Sequence, residues 1–259
     1  MQIKGKTSDF IEMLDTSTLN GVFESIVLKV SDKLTIAVKD TTEKVSVMHK
    51  GVYMNFFEIE VDGEEEIGIE VKDLLSQMKL VFKGDDVITW KRVDNDILIT
   101  GPNDQITTSV LDPDSVGSYI KNSDKTFLLG KKMELLYKGG KTPPTTIAKM
   151  DADVLRGVEK RGSAVKQQFY PIKLIPPDAI EYSVGDRKED RSKNSITHKE
   201  EGIVVEGETL TTVIGSGLKD VVGVLSGEVQ LSGLDGSPLW IWYEDENKKL
   251  GFFVASRDV

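Results

Sequence analysis

Residues Val71 to Met78 read VKDLLSQM and lead into three strand-like segments, VITWKRV (Val87 to Val93), DILITG (Asp96 to Gly101) and QITTSV (Gln105 to Val110). Residues Gly217 to Leu225 read GLKDVVGVL and lead into EVQLS (Glu228 to Ser232), PLWIWYE (Pro238 to Glu244) and KLGFFVA (Lys249 to Ala255). A helical stretch followed by three strand-like runs therefore closes both halves of the chain. Upstream, Asp9 to Asp40 can be laid beside Asp153 to Asp186. Each holds a short helical stretch, a first strand (Val22 to Val30; Gln167 to Ile175), a turn and a second strand (Leu34 to Lys39; Ala179 to Val184). Few letters match between the copies, so the duplication rests on the order and spacing of apolar patterns.

At 259 residues the chain has room for two domains of about 100 to 150 residues, which is what a duplication requires. Its 39% hydrophobic and 29% charged residues are those of a globular protein with a sizeable core. No apolar run approaches the roughly 20 residues of a membrane helix, and the opening MQIKGKTSDF lacks the apolar stretch of a signal peptide. With no cysteine, disulfides, thiolate catalysis and cysteine-ligated metals are excluded. The expectation is an intracellular protein with no membrane partner. The formal net charge of -10 counts against phosphate binding as a sum, but the local field decides steering, and an acidic protein can present a basic face.

Most of the chain reads as strand. Alternation is clear in Phe23 to Val30, Val45 to Val52, Phe56 to Val61 and Ile203 to Val213, each bounded by turn residues. Four stretches read as helix: Ser8 to Asp15, Val71 to Lys79, Asp151 to about Arg161, and Gly217 to Ser226. Between the halves, Leu111 to Thr146 carries three prolines and several glycines and reads as a connector. Its middle, FLLGKKMELLY (Phe127 to Tyr137), is apolar enough to pack on a surface or meet a partner. The division is residues 1–110, a connector 111–144, and residues 145–259.

This arrangement, with the terminal SPLWIWYEDENKKLGFFVASR (Ser237 to Arg257) and TTIAKMDADVLRGV (Thr145 to Val158) after the connector, resembles the sliding clamps of DNA replication. That family includes PCNA and the trimeric clamps of T-even-type phages. The resemblance implies an α+β DNA-clamp fold of two similar domains, strands outside and two short helices each inside. Three protomers would join head to tail as a homotrimeric ring around duplex DNA. It further implies contact with DNA polymerase and other proteins through a clamp-binding peptide, and an ATP-driven clamp loader. No cofactor, metal or catalytic residue is implied.

Carried onto this chain, the resemblance implies subunit pairing between Gln105, Ile106, Thr107, Thr108, Ser109 and Val110 and a segment holding Ser195, Ile196 and Thr197. The first of these strands carries no Lys or Pro to blunt an exposed edge. Candidate phosphate contacts on the helices are Lys72, Lys79, Arg156, Lys160 and Lys219. Arg156 and Lys160 share a face at i and i+4, and such contacts require cations without base readout. The first helix departs from the family pattern, with Asp9, Glu12 and Asp15 where clamps are usually basic. The partner-peptide pocket maps to Val45, Leu128, Leu129, Pro238, Phe253, Val254 and Ala255, residues that compete with an ordinary core reading. Ser256 stands where PCNA usually has proline.

Enzymatic readings find little. His49 and His198 read as surface residues of strands or a charged loop. GGKT (Gly139 to Thr142) lacks the earlier glycine of a phosphate loop, because that position is Leu135. GSGLKD (Gly215 to Asp220) lacks the third glycine of a dinucleotide fingerprint, and DGEEE (Asp62 to Glu66) reads as a hairpin loop. The leading expectation is a non-enzymatic processivity factor. The alternatives are a clamp-like peptide-binding scaffold that does not close on DNA, and a β-rich enzyme with a dispersed site.

Overall fold

A computed structural model of the chain describes residues 1–40, 47–121, 135–137, 140–142, 144–166, 169–184, 196–234 and 238–256. Contacts divide the chain into two units. The first is Met1–Thr41, His49–Ser123 and Glu244–Leu250; the second is Thr42–Met48, Asp124–Tyr243 and Gly251–Val259.

The first half runs β1 (Gln2–Lys6), α1 (Thr7–Ser17), β2 (Ser25–Val30), β3 (Leu34–Lys39), β4 (Val47–Tyr53), β5 (Glu58–Glu60), β6 (Glu65–Glu70), α2 (Val71–Val81), β7 (Val87–Val93), β8 (Asp96–Thr100) and β9 (Gln105–Ser109). After a 3-10 turn at Pro113–Ser115 comes a small hairpin, β10 (Leu135–Tyr137) and β11 (Gly140–Thr142). The second half runs β12 (Thr146–Asp151), α3 (Ala152–Ala164), β13 (Tyr170–Ile175), β14 (Ala179–Val184), β15 (Ile196–Glu201), β16 (Val204–Gly207), β17 (Leu210–Ile214), α4 (Leu218–Val222), β18 (Glu228–Gly233), β19 (Leu239–Glu244) and β20 (Lys248–Val254).

The duplication is topological. In the first half, strand order β5-β1-β7-β8-β9 is matched in the second by β16-β12-β18-β19-β20. The order β4-β3-β2-β6 is matched by β15-β14-β13-β17. The described pairings are antiparallel, and short turns join consecutive neighbours such as β2 to β3, β7 to β8 and β13 to β14. Both units draw on residues of β4 and β20, whereas β9 ends its sheet and β15 ends its own.

The helices form where apolar residues recur at helical spacing. Phe10, Met13, Leu14 and Ser17 bury one face of α1, and Val71, Leu74, Leu75 and Met78 bury one face of α2. In the first unit Phe10 stacks on Trp90 at 4.7 Å between ring centroids and meets Phe57 at 4.5 Å, which fastens α1 to its sheet. In the second unit Asp151 caps α3 by accepting from the Asp153 N–H at 2.8 Å. The absence of a side chain at Gly162 lets α3 approach the Tyr170 ring.

Four expectations need correction. Phe56 to Val61 yields only the three-residue β5. Ile203 to Val213 is two strands in two different sheets, because Gly207 turns the chain at a φ of 98°. The helix expected over Gly217 to Ser226 spans only Leu218–Val222, and Gly217 and Gly223 flank it. His49 is fully buried in β4 rather than at the surface; His198 on β15 is half-buried against the Tyr182 ring.

Candidate functional site

Of the candidate cations, Lys72, Lys79, Lys160 and Lys219 are exposed, and Lys72 and Lys79 flank the buried face of α2. In the first unit, Lys72 and Lys79 project from α2 two turns apart and line one groove between α1 and α2, of about 190 Å³. Asp15, Thr18, Glu24 and Ser76 share that groove. Lys79 is not unencumbered: its Nζ lies 3.0 and 3.3 Å from the two carboxylate oxygens of Asp15. The acidic first helix thus bears directly on a predicted phosphate contact. Of its other acids, Glu12 pairs with the nearly buried Lys248.

In the second unit, α3 packs beside α4, so Arg156, Lys160 and Lys219 belong to neighbouring helices. Arg156 is half-buried. Its guanidinium donates to the Asp153 carboxylate and to the Leu225 carbonyl, which anchors it against the α4–β18 turn. Lys160 and Lys219 are exposed, and neither they nor Lys72 makes an ion pair among the described residues. Arg161, one residue further along α3, turns to the Tyr182 hydroxyl and ring instead. Burial pushes the Tyr182 phenol above its ordinary range, and the Arg161 charge opposes that shift.

The two sheet-ending strands differ in character. On β9, Gln105, Thr107 and Ser109 line one side, Ile106 is buried, and Thr108 and the following Val110 are half-buried. The Val110 N–H donates to the Asn95 carbonyl at 2.8 Å, which fixes the phase of the ladder with β8. In an antiparallel pair the inward-facing amides alternate, so the N–H groups of Thr107 and Ser109 point away from β8, toward an edge that no described strand fills. On β15, Ile196 and Thr197 begin a strand whose Lys199 and Glu201 pair at 2.6 Å, and that hydrogen bond raises the Lys199 pKa and lowers that of Glu201. Ser195 lies outside the described residues.

For the partner pocket, Val45, Leu128 and Leu129 also lie outside the described residues. Within the second unit Val254 is fully buried, while Pro238, Phe253 and Ala255 are half-buried. The Phe253 ring meets Trp240 edge-on at 6.3 Å, and the Ala255 carbonyl accepts from the Gly215 N–H at 3.0 Å. An aromatic ring at the surface on an ordered backbone is a feature that a peptide-binding cleft can use. No group of His, Asp or Glu among the described residues is arranged to hold a metal ion. Two of the Asp62 to Glu66 acids instead meet cations: Glu64 pairs with Lys29, and Glu65 with Arg92 and the N-terminal amine.

No protein-family model matches the sequence, and no curated protein does. Solved structures match over their whole length. PCNA of Entamoeba histolytica superposes with a TM-score of 0.76 at 14% identity, covering 99% of this chain and 98% of that one. The PCNA of A. fulgidus bound to the C-terminal region of FEN-1 gives 0.76 at 10% identity, over 100% and 98%. The chain has the sliding-clamp fold. A PCNA2–PCNA3 complex from Sulfolobus tokodaii gives 0.71 at 17% identity, over 99% of both chains. The expected α+β clamp architecture is therefore present at identities too low for motif matching. No helix among the described residues is long and apolar enough to cross a membrane.

Sequence reading missed the pairing of Lys79 with Asp15, although it had marked both residues. They lie 64 positions apart, and only the packing of α1 on α2 brings them together. It also missed that Arg156 is tied down by Leu225, a contact to a backbone carbonyl that no residue pattern announces.

Proposed function

We propose that this chain is a DNA sliding clamp, a non-enzymatic ring that encircles duplex DNA and tethers DNA polymerase and other replication or repair proteins. The observation that carries the reading is the clamp fold over 98 to 100% of both partners in each comparison. Two sheet-ending strands support it. β9 of one copy pairs with β15 of the next, and repetition of one heterologous contact closes a homotrimer. The domains are residues 1–110 and 145–259, joined by the connector 111–144. The ring's topology holds it on DNA, so Lys72, Lys79, Arg156, Lys160 and Lys219 make weak contacts that permit sliding. Tethering converts repeated encounters of polymerase and template into an association at high effective concentration.

The PCNA structure with the C-terminal region of FEN-1 supports a partner-peptide site here, formed by Val45, Leu128, Leu129, Pro238, Phe253, Val254 and Ala255. An ATP-driven loader opens the ring. A second reading, a clamp-like scaffold that does not pass DNA, is favoured by one observation: Lys79 and Arg156 are both held in ion pairs.

Light scattering behind a sizing column, over a range of loading concentrations, tests the proposal. A species of about three times 28.7 kDa is expected. A monomer at every concentration would remove the self-closed ring and leave the scaffold.

A further inference from the structure

We infer that Asp15 limits the grip of this clamp on DNA. The inference rests on the reading that the exposed faces of α1 and α2 meet the duplex.

The groove between these helices holds two ammonium groups, Lys72 and Lys79, and two carboxylates, Asp15 and Glu24. Its formal charge is therefore zero, although the sequence offers two cations on one face. Asp15 takes Lys79 with both oxygens, at 3.0 and 3.3 Å. The pair faces solvent, with side-chain exposures of 49% for Lys79 and 32% for Asp15. An ion pair so exposed contributes little to folding. Its effect falls on whatever anion approaches Lys79.

A backbone phosphate that reaches for Lys79 must displace the Asp15 carboxylate and then remain near it, well inside the Debye length of about 10 Å. The attraction of the groove for any one phosphate is thereby reduced. Sliding needs this, because a contact that holds one register tightly is a barrier to leaving it. The second unit shows a related arrangement, with Asp153 on Arg156, but Asp153 also lies in the first turn of α3, which makes it a less selective target. The Asp15 side chain has Lys79 as its only ion-pair partner among the described residues. Asp15→Asn therefore keeps the shape and removes the charge alone.

The test is binding of the assembled protein to a labelled linear duplex by fluorescence anisotropy over a potassium chloride series. Asp15→Asn, Lys72→Ala and Asp62→Asn are compared with the parent; Asp62 lies exposed in the β5–β6 turn. The expected result is that Asp15→Asn binds roughly threefold or more tightly at low salt, from removal of one nearby like charge. Its log–log salt slope should steepen by up to about 0.9 for each phosphate gained. Lys72→Ala should weaken binding, and Asp62→Asn should leave it unchanged. Parent-like binding by Asp15→Asn beside weakened Lys72→Ala overturns the inference and spares the DNA-facing assignment. An equal gain in Asp62→Asn overturns it in favour of net charge. No effect of Lys72→Ala removes this face from the DNA, and with it both the assignment and the inference.

Discussion

Gly207 and Gly202 have similar backbone angles, with φ of 98° and 88°, but different surroundings. Among the described residues nothing lies within 4 Å of a Cβ built on Gly202, whereas one on Gly207 would run into the Thr145 backbone carbonyl. Gly202→Ala should cost only the conformational strain, about 1–2 kcal/mol. Gly207→Ala should cost more, because the clash is with backbone that pairs β12 to β16; urea midpoints of the two variants measure the difference. Tyr53 gives a second prediction at this scale. It is fully buried, with its hydroxyl 3.2 Å from the Ser17 hydroxyl. Burial raises its pKa above the ordinary value near 10, the hydrogen bond to Ser17 opposes that shift, and the Glu12 charge adds to it. The native state therefore keeps a proton that the unfolded chain releases. Stability from this group is complete below about pH 10 and is lost as pH rises beyond it. Tyr53→Phe should cost about 1 kcal/mol at neutral pH and make the alkaline decline shallower in denaturant titrations from pH 8 to 11. Neither burial nor clash was legible in the letters: His49 alternates like a surface residue, and its neighbours in the fold, not in the sequence, bury it.

At the scale of elements, the two helix-and-three-strand units were legible because amphipathic period is a local property that neighbours in sequence share. The sheet to which a strand belongs is not local. Ile203 to Val213 keeps its alternation across Gly207 while the chain leaves one sheet for another, and period 2 cannot register that change. The edge status of β9 was half legible, since the absence of Lys and Pro marks a strand that expects company. The direction of its amides came only from the Val110 to Asn95 hydrogen bond. That direction makes a prediction. Thr107→Pro removes an N–H that β8 does not use, so the fold of the single chain should lose less stability than with Thr108→Pro, whose N–H faces β8. On the proposed pairing of β9 with β15 of the next copy, the same change deletes a donor to that strand and should shift the species in light scattering from trimer toward monomer. A variant that stays trimeric at the lowest loading concentration would place the subunit contact elsewhere.

For the whole molecule, the net charge of -10 does not bar the proposed DNA-encircling ring, because on that reading topology retains the duplex and the cations need only present a local basic face. This view separates the cations, which need only guide the duplex, from the subunit contacts, which must stay closed. It also explains why the candidate contacts were the least legible part of the sequence. A residue whose task is to bind weakly leaves no strong pattern, and ion pairs such as Asp15 with Lys79 cancel in any charge count. A linear duplex offers a test without a loader, because a closed ring can thread over a free end. The protein is incubated with duplex biotinylated at both ends and immobilised at one, then streptavidin blocks the other, and the complex is washed at high salt. The expected outcome is retention when the end is blocked and loss when it is left open, since salt screens the phosphate contacts but does not open a ring held by strand pairing. Thr107→Pro should be lost in both cases. Equal loss of the parent from blocked and open duplexes would mean that the DNA is held by charge alone, and the acidic chain would then be better described as a scaffold than as a clamp.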